Sequence, residues 1–186
     1  MENAPRDLTE TRIDREELVD GYLLHAYRDR VRLPDGGTSV REWIDHPGAS
    51  AVIPLLPNGD TLLVRQFRYP PNRTFLELPA GKLDSAGEDP ANVARRELKE
   101  ETGWTADEVI SLGPLYPCIG YSNEVIHYFV AKGLTPGEQE LSEGELVEVV
   151  QMPLSEAVAM VYRGEMLDMK TAIGLLWAAR YGADNS

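Results

Sequence analysis

The stretch GKLDSAGEDPANVARRELKEETGW, residues 81–104, decides how the rest of the chain is read. It predicts a helix from about Pro90 to Thr102, because proline is tolerated at a first helical position and Gly103 suits the stop. Glu97, Glu100 and Glu101 stand at i, i+3 and i+4. They share one helix face, where like charges repel. The apolar Val93, Ala94 and Leu98 are expected opposite that face. Two readings compete. One is a solvated acidic face, the usual meaning of a charge cluster. The other is a divalent-cation site, since hard cations take several oxygen ligands and clustered carboxylates with nearby backbone carbonyls supply them. Arg96, one turn before Glu100, can pair with a carboxylate and fix its rotamer.

Outward from the helix, the chain reads as strands, helix, strands, helices. Residues 1–16 are polar and expected to be loosely ordered. "GYLLHAYRDRVRLPDGGTSVREWIDHPG" predicts two strands around Asp35-Gly36-Gly37, a hairpin signal. "SAVIPLLPNGDTLLVRQFRYP" predicts a second hairpin around Asn58-Gly59. "TFLELPAG" is a short strand running into the glycine turn. Strands are expected at 109–116, 124–131 and 145–152. Helices follow over "LSEAVAMVYRGE", with Ser155 near its start, and over "DMKTAIGLLWAARYG". That order points to α+β, a mixed sandwich rather than a regular βαβ repeat.

Hydrophobic residues make up 42% of the 186 and charged residues 26%, enough to bury the core of one globular domain with a small extra lobe. No apolar run reaches the roughly 18 residues of a membrane span. The N-terminus carries no apolar stretch of the secretory type. A single cysteine, Cys118, excludes an internal disulfide framework and makes the cytoplasm the default compartment. The net charge of −13 argues against a duplex-DNA binder. Phosphates remain accessible to so acidic a chain where cations mediate the contact.

The helix stretch resembles the Nudix box, G-x5-E-x7-R-E-U-x-E-E-x-G-U, with U a bulky apolar residue. From Glu88 onward the match is complete, through Arg96, Glu97, Leu98, Glu100, Glu101, Gly103 and Trp104. Six residues rather than five separate Gly81 from Glu88, which a one-residue bulge before the helix can absorb. "HPGASAVIPLL", "LLVRQFRYP", "LELPAGK", "IGYSNE" and "SEGELVEVVQMPLSEA" are similar to the bacterial ADP-ribose pyrophosphatase branch. Ile119 stands where the loop of that branch usually has proline.

The resemblance implies a Nudix fold, an α/β/α sandwich of mixed β-sheets. It would comprise an N-terminal extension and antiparallel β lobe over 1–47, used for dimerisation, and a hydrolase domain over 48–186. It implies attack of water on a phosphorus of a nucleoside diphosphate linked to a second group. Mg²⁺ would assist, with Mn²⁺ as the alternative ion. Glu97 and Glu101 become the principal metal ligands, Glu100 a further or bridging ligand, and the Ala80 carbonyl an extra oxygen. "LSEGELVE" supplies Glu143 as the water-activating base and Glu145 as a metal-linked partner; its bland reading is a flexible acidic surface loop. Arg68, Glu77, Ser122 and Glu124 are substrate contacts. Gly81, Glu88, Arg96 and Gly103 shape the motif.

Other residues carry less. Arg65 and Arg68, three apart on a strand, face opposite sides, and Arg65 suits a surface ion pair. Phe67, Tyr69 and Tyr121 are either rings for a base to stack on or core. His25 and His127 fit packing, and His46 a turn. No neighbouring His or second Cys argues for a thiolate at Cys118.

The expected substrate is ADP-ribose or a related nucleoside diphosphate sugar, cleaved to AMP (or another nucleoside monophosphate) and a sugar phosphate. The alternatives are GDP-mannose, FAD or a dinucleoside polyphosphate as substrate, a non-catalytic ADP-ribose sensor, and a purely structural acidic domain. A homodimer is expected, with the lobe crossing to the partner. No nucleic acid and no membrane partner is expected.

Overall fold

A computed structural model describes residues 6–84 and 87–184. The chain forms two compact units, residues up to His46 with Cys118–Glu124, and Pro47–Pro117 with the chain from Val125 on. The segment 118–124 thus folds with the lobe, although the whole of Pro47–Pro117, part of the second unit, separates the two in sequence.

In the first unit, β1 (Thr11–Asp20), β2 (His25–Arg32) and β3 (Thr38–Asp45) form an antiparallel sheet in that order. The Asp35-Gly36-Gly37 turn joins β2 to β3, with Gly36 at φ 88° and the Asp35 carboxylate accepting the Gly37 N–H at 2.8 Å. Within the span expected to be loosely ordered, residues from Thr11 on are strand, while residues 1–5 lie outside the described residues. The expectation fails because β1 has no apolar stripe: all ten of its residues are exposed. The ladder to β2 and cross-strand ion pairs hold it, Arg15 with Asp29 at 2.7 Å and Arg28 with Glu16 at 3.0 Å. The Arg15 guanidinium also lies 4.5 Å from the Tyr27 ring centre and 4.8 Å from that of Trp43. Trp43 in turn donates Nε1–H to Asp29 at 3.1 Å. In the segment 118–124, Tyr121 C=O accepts the Ile44 N–H at 2.8 Å.

The second unit holds two sheets. One has the order β10 (Val147–Pro153), β5 (Asp60–Arg68), β6 (Arg73–Glu77). The other has the order β7 (Ala80–Lys82), β4 (Ala49–Pro54), β9 (Ile126–Thr135), β8 (Thr105–Leu115). Strands β4 and β9 are parallel, so the sheet is mixed. Among the described residues, three helices complete the unit: α1 (Pro90–Thr102), α2 (Leu154–Tyr162) and α3 (Met169–Asp184). None is long and apolar enough to cross a membrane.

The expected hairpin at Asn58-Gly59 does not form. The turn is there, with Gly59 at φ 87° and its N–H on Leu56 C=O at 3.0 Å. The flanking strands, however, enter different sheets, joined only by a bridge between Leu55 and Thr61. Strand β4 has no free edge for β5, because one edge is taken by β9 and the other by β7 and the Pro79 carbonyl.

The alternation along β4 and β9 builds the sandwich. Ala51, Ile53, Tyr128 and Val130 enter a core shared with Leu63, Leu78 and Leu175. Val52, Phe129 and Ala131 face the other way and enclose Ala94 and Leu98 of α1. The α+β, α/β/α architecture is therefore as expected.

Candidate active site

Helix α1 begins and ends where its sequence dictates. Asp89 caps it, accepting the Ala91 N–H at 3.0 Å, and Pro90 fills the first helical position. Gly103 closes it in the left-handed region at φ 78°, its N–H on Lys99 C=O at 2.8 Å.

One expectation about α1 is corrected: Val93, Ala94 and Leu98 do not lie opposite the acids. At about 100° per residue, Glu97 and Glu101 fall between Val93 and Leu98, within the buried arc. The glutamates point at the sheet. Only 7% of Glu101 is exposed. Burial pushes its carboxyl up to about 8, although its Oε2 accepts the Ala80 N–H at 2.9 Å. Burial, then the neighbouring Glu100, also pushes Glu97 up. A solvated acidic face has neither property.

The glycine turn makes room for this. A Cβ built on Gly81 lies 1.9 Å from Glu97 Oε1, so the missing methyl is the space Glu97 occupies. Glu88 accepts the Asp84 N–H at 2.7 Å and Arg96 Nη1–H at 2.9 Å. Arg96 reaches on to Asp84 at 2.8 Å and to Glu97 at 3.4 Å. The Gly81–Glu88 loop is thereby tied to the helix from both sides. Its extra residue was expected to be absorbed as a bulge; Ser85 and Ala86, in the middle of that loop, lie outside the described residues.

Behind Ala80 runs a network of paired charges. Arg68 donates twice to Glu77, both bonds at 2.7 Å. Lys170 Nζ lies 3.3 Å from Glu77 and 3.0 Å from Asp168. Thr171 donates Oγ1–H to Asp168 at 2.6 Å and accepts the Leu78 N–H at 2.8 Å. Burial raises the Glu77 carboxyl, but Arg68 and then Lys170 outweigh it and hold it low. Asp168 is likewise lowered, Lys170 and Thr171 outweighing its burial. Lys170 and Arg68 both favour the charged form of Glu101. Neither Lys170 nor Asp168 was among the residues expected from sequence. The available signal was Asp168 three residues before Thr171, whose N–H it accepts at 3.0 Å in the manner of a helix cap.

Glu143 and Glu145 lie exposed on a loop with Gly144 at φ 86° between them. The Glu145 carboxylate accepts the Ser142 N–H at 3.0 Å, and Ser142 C=O accepts the Glu145 N–H at 3.1 Å. Glu145 is close enough to add to the upward push on Glu97. Among the described residues, no three His, Cys, Asp or Glu side chains are gathered tightly enough to hold an ion. The carboxylate oxygens are turned instead to Arg96 and to the N–H groups of Ala80 and Ser142. The donor set itself suits a hard divalent cation, being all oxygen, with Glu101 buried and Glu97 partly buried, acids that a cation would relieve of their desolvation cost.

Ser122 and Glu124 lie in the segment 118–124 of the first unit, where Ser122 Oγ accepts the Glu124 N–H at 3.1 Å. Arg65 forms its surface ion pair, with Glu148 at 2.9 Å. Phe67, Tyr69 and Tyr121 are all exposed, which removes the core reading for them.

Comparison with known proteins agrees with this architecture. The chain is 40% identical to the ADP-ribose pyrophosphatase of Bacillus subtilis (strain 168), over 91% of this chain and 92% of that one. It is 38% identical to the methanol dehydrogenase activator of Bacillus methanolicus, over 89% of this chain and 90% of the relative. A crystal structure of an ADP compounds hydrolase superposes with a TM-score of 0.85 at 21% identity, covering 98% of this chain and 99% of the other, and so shares the fold. The family model of the NUDIX domain matches residues 45–170, and the chain belongs to the Nudix family.

Proposed function

We propose that this protein hydrolyses the diphosphate bond of ADP-ribose or a related nucleoside diphosphate sugar, releasing AMP (or another nucleoside monophosphate) and a sugar phosphate. The observation that carries the reading is the inward-facing acidic pair, the partly buried Glu97 in the space left by Gly81 and the buried Glu101 on the Ala80 N–H. The relative named ADP-ribose pyrophosphatase, alike over nearly the whole of both chains, supports the substrate class.

In this reading Glu97, Glu100 and Glu101, with the Ala80 carbonyl, hold Mg²⁺, and Glu145 adds a carboxylate from the loop. Bound divalent cations neutralise the diphosphate and lower the pKa of the attacking water. Glu143 takes the proton from that water as its oxygen attacks phosphorus and the bridging P–O bond breaks. Arg68, held by Glu77, meets a phosphate. Ser122 and Glu124 contact the distal sugar. Glu88 and Arg96 keep the glycine loop and the helix in register, and Gly103 ends the helix. The single cysteine leaves no internal disulfide to be kept oxidised, which suits a reducing cytoplasm.

The purified protein with MgCl₂ should convert ADP-ribose to AMP and a sugar phosphate, identified by chromatography. Parallel assays on GDP-mannose, FAD and a diadenosine polyphosphate test the specificity. Turnover of one of these without ADP-ribose overturns the substrate. Tight ADP-ribose binding with no turnover of any of them makes the protein a sensor.

The same reading includes a symmetric homodimer built on the β1–β3 unit. That unit exposes Tyr22, Leu23, Leu24 and Val40, and a closed two-fold assembly is the commonest way to cover such a surface. Sedimentation equilibrium at micromolar concentration should give about twice the 20.7 kDa of one chain. A mass of one chain sinks the dimer.

A further inference from the structure

Helix α1 ends on carbonyls that no later turn can bond. The segment 137–140 supplies the donors. Glu140 N–H meets Glu100 C=O at 3.0 Å, and Gln139 Nε2–H meets Glu101 C=O at 2.5 Å. Lys99 Nζ adds an ion pair to Glu140 at 2.9 Å. Two facing glycines permit so close a crossing. A Cβ on Gly103 lies 2.8 Å from Gly137 O, and a Cβ on Gly137 lies 2.8 Å from Gly103 O. Both contacts are to backbone, which cannot turn aside as a side chain can.

The amide of Gln139 has two N–H donors. It reaches Glu101 C=O at the helix end and also Val147 C=O, at 3.4 Å, the first residue of β10. Residues 140–146 lie between these anchor points. The bonds of Ser142 and Glu145 run to each other, and Leu146 is 86% exposed. With so little of the loop buried, its aim depends on how its base is closed.

We infer that Gln139 is a positioning residue, whose side-chain amide closes the base of the acidic loop and fixes where Glu143 and Glu145 stand relative to the carboxylates of α1. The inference rests on the reading of that loop as the source of the catalytic base. Gln139 is exposed, so its replacement leaves the core intact.

Gln139→Ala should lower kcat on ADP-ribose by about 10- to 100-fold, the scale of a catalytic group misplaced by ~1 Å, with KM little changed. Gln139→Glu, of the same size but without N–H donors, should do the same. Gln139→Arg, which restores donors, should recover most of the rate. Glu143→Gln and Glu145→Gln are measured alone and with Gln139→Ala. In the background of whichever loop variant lowers kcat, Gln139→Ala should add less than about twofold, because the residues act as one unit. Hydrogen exchange by mass spectrometry reads the tie independently of turnover. Amides 140–146 should exchange at least about tenfold faster in Gln139→Ala, with α1 unchanged. If a loop glutamate matters and Gln139→Ala or Gln139→Glu keeps wild-type kcat, the inference is overturned. If neither loop glutamate matters, the base assignment is what fails, and the exchange of 140–146 then decides Gln139: unchanged protection overturns the tie.

Discussion

Glu101→Gln is expected to lower kcat by at least ~100-fold, because it removes a charged ligand from the proposed metal site. The fold should survive it. A glutamine oxygen can accept the Ala80 N–H as Glu101 does. Near-wild-type turnover with Mg²⁺ would move the metal site off α1. The same variant should change how stability depends on pH in the metal-free protein. Folding raises the Glu101 carboxyl from 4.5 to about 8. Between those values the folded state holds a proton that the unfolded state has released. Stability from this group is therefore full below about pH 4.5 and falls as pH rises to about 8, by up to ~1.4 kcal/mol per unit and roughly 5 kcal/mol in all. Denaturant titrations should show that slope in the wild type and lose it in Glu101→Gln. If the proposed site takes metal near pH 7 that proton is displaced, so calorimetry in buffers of different ionisation enthalpy should show more proton release with Mg²⁺ in the wild type than in Glu101→Gln.

Gly81→Ala should separate site from scaffold. The new methyl meets Glu97 Oε1 at 1.9 Å, and the far end of a flexible side chain can swing away. Gly81 lies outside the left-handed region, so alanine suits its backbone. The melting temperature should move by a few degrees at most, the range of about 1 kcal/mol for a domain of this size. Activity and Mg²⁺ affinity should fall by ~10- to 100-fold, because the displaced carboxylate is one of the proposed ligands. A variant that keeps both would show that Glu97 does not need that space.

The sequence made the helix and its carboxylates legible, because caps, glycine stop and motif spacing are local properties. It made most strands legible for the same reason. What it hid depends on distant chain. The Asn58-Gly59 turn signals a hairpin, yet the partners that occupy both edges of β4 come from Pro79–Lys82 and Ile126–Ala131. Strand β1 is held by ion pairs to β2, which alternation of apolar residues does not reveal. Charge alone made Glu97 and Glu101 look solvated, and only the sheet beneath α1 shows Glu101 buried and Glu97 partly so. Lys170 and Gln139 are ordinary polar residues in sequence, and their partners in space give them meaning.

The parallel pairing of β4 with β9 also sets an order of events as the chain leaves the ribosome. The helix with the acids is complete at Thr102, but its bed includes Phe129 and Ala131. Until about 30 further residues have emerged, α1 has only part of the surface on which Ala94 and Leu98 lie in the folded protein. Long-range closure of this kind is slow. The helix that carries the acids is thus translated well before the strand that completes its bed, and its final packing waits on β9.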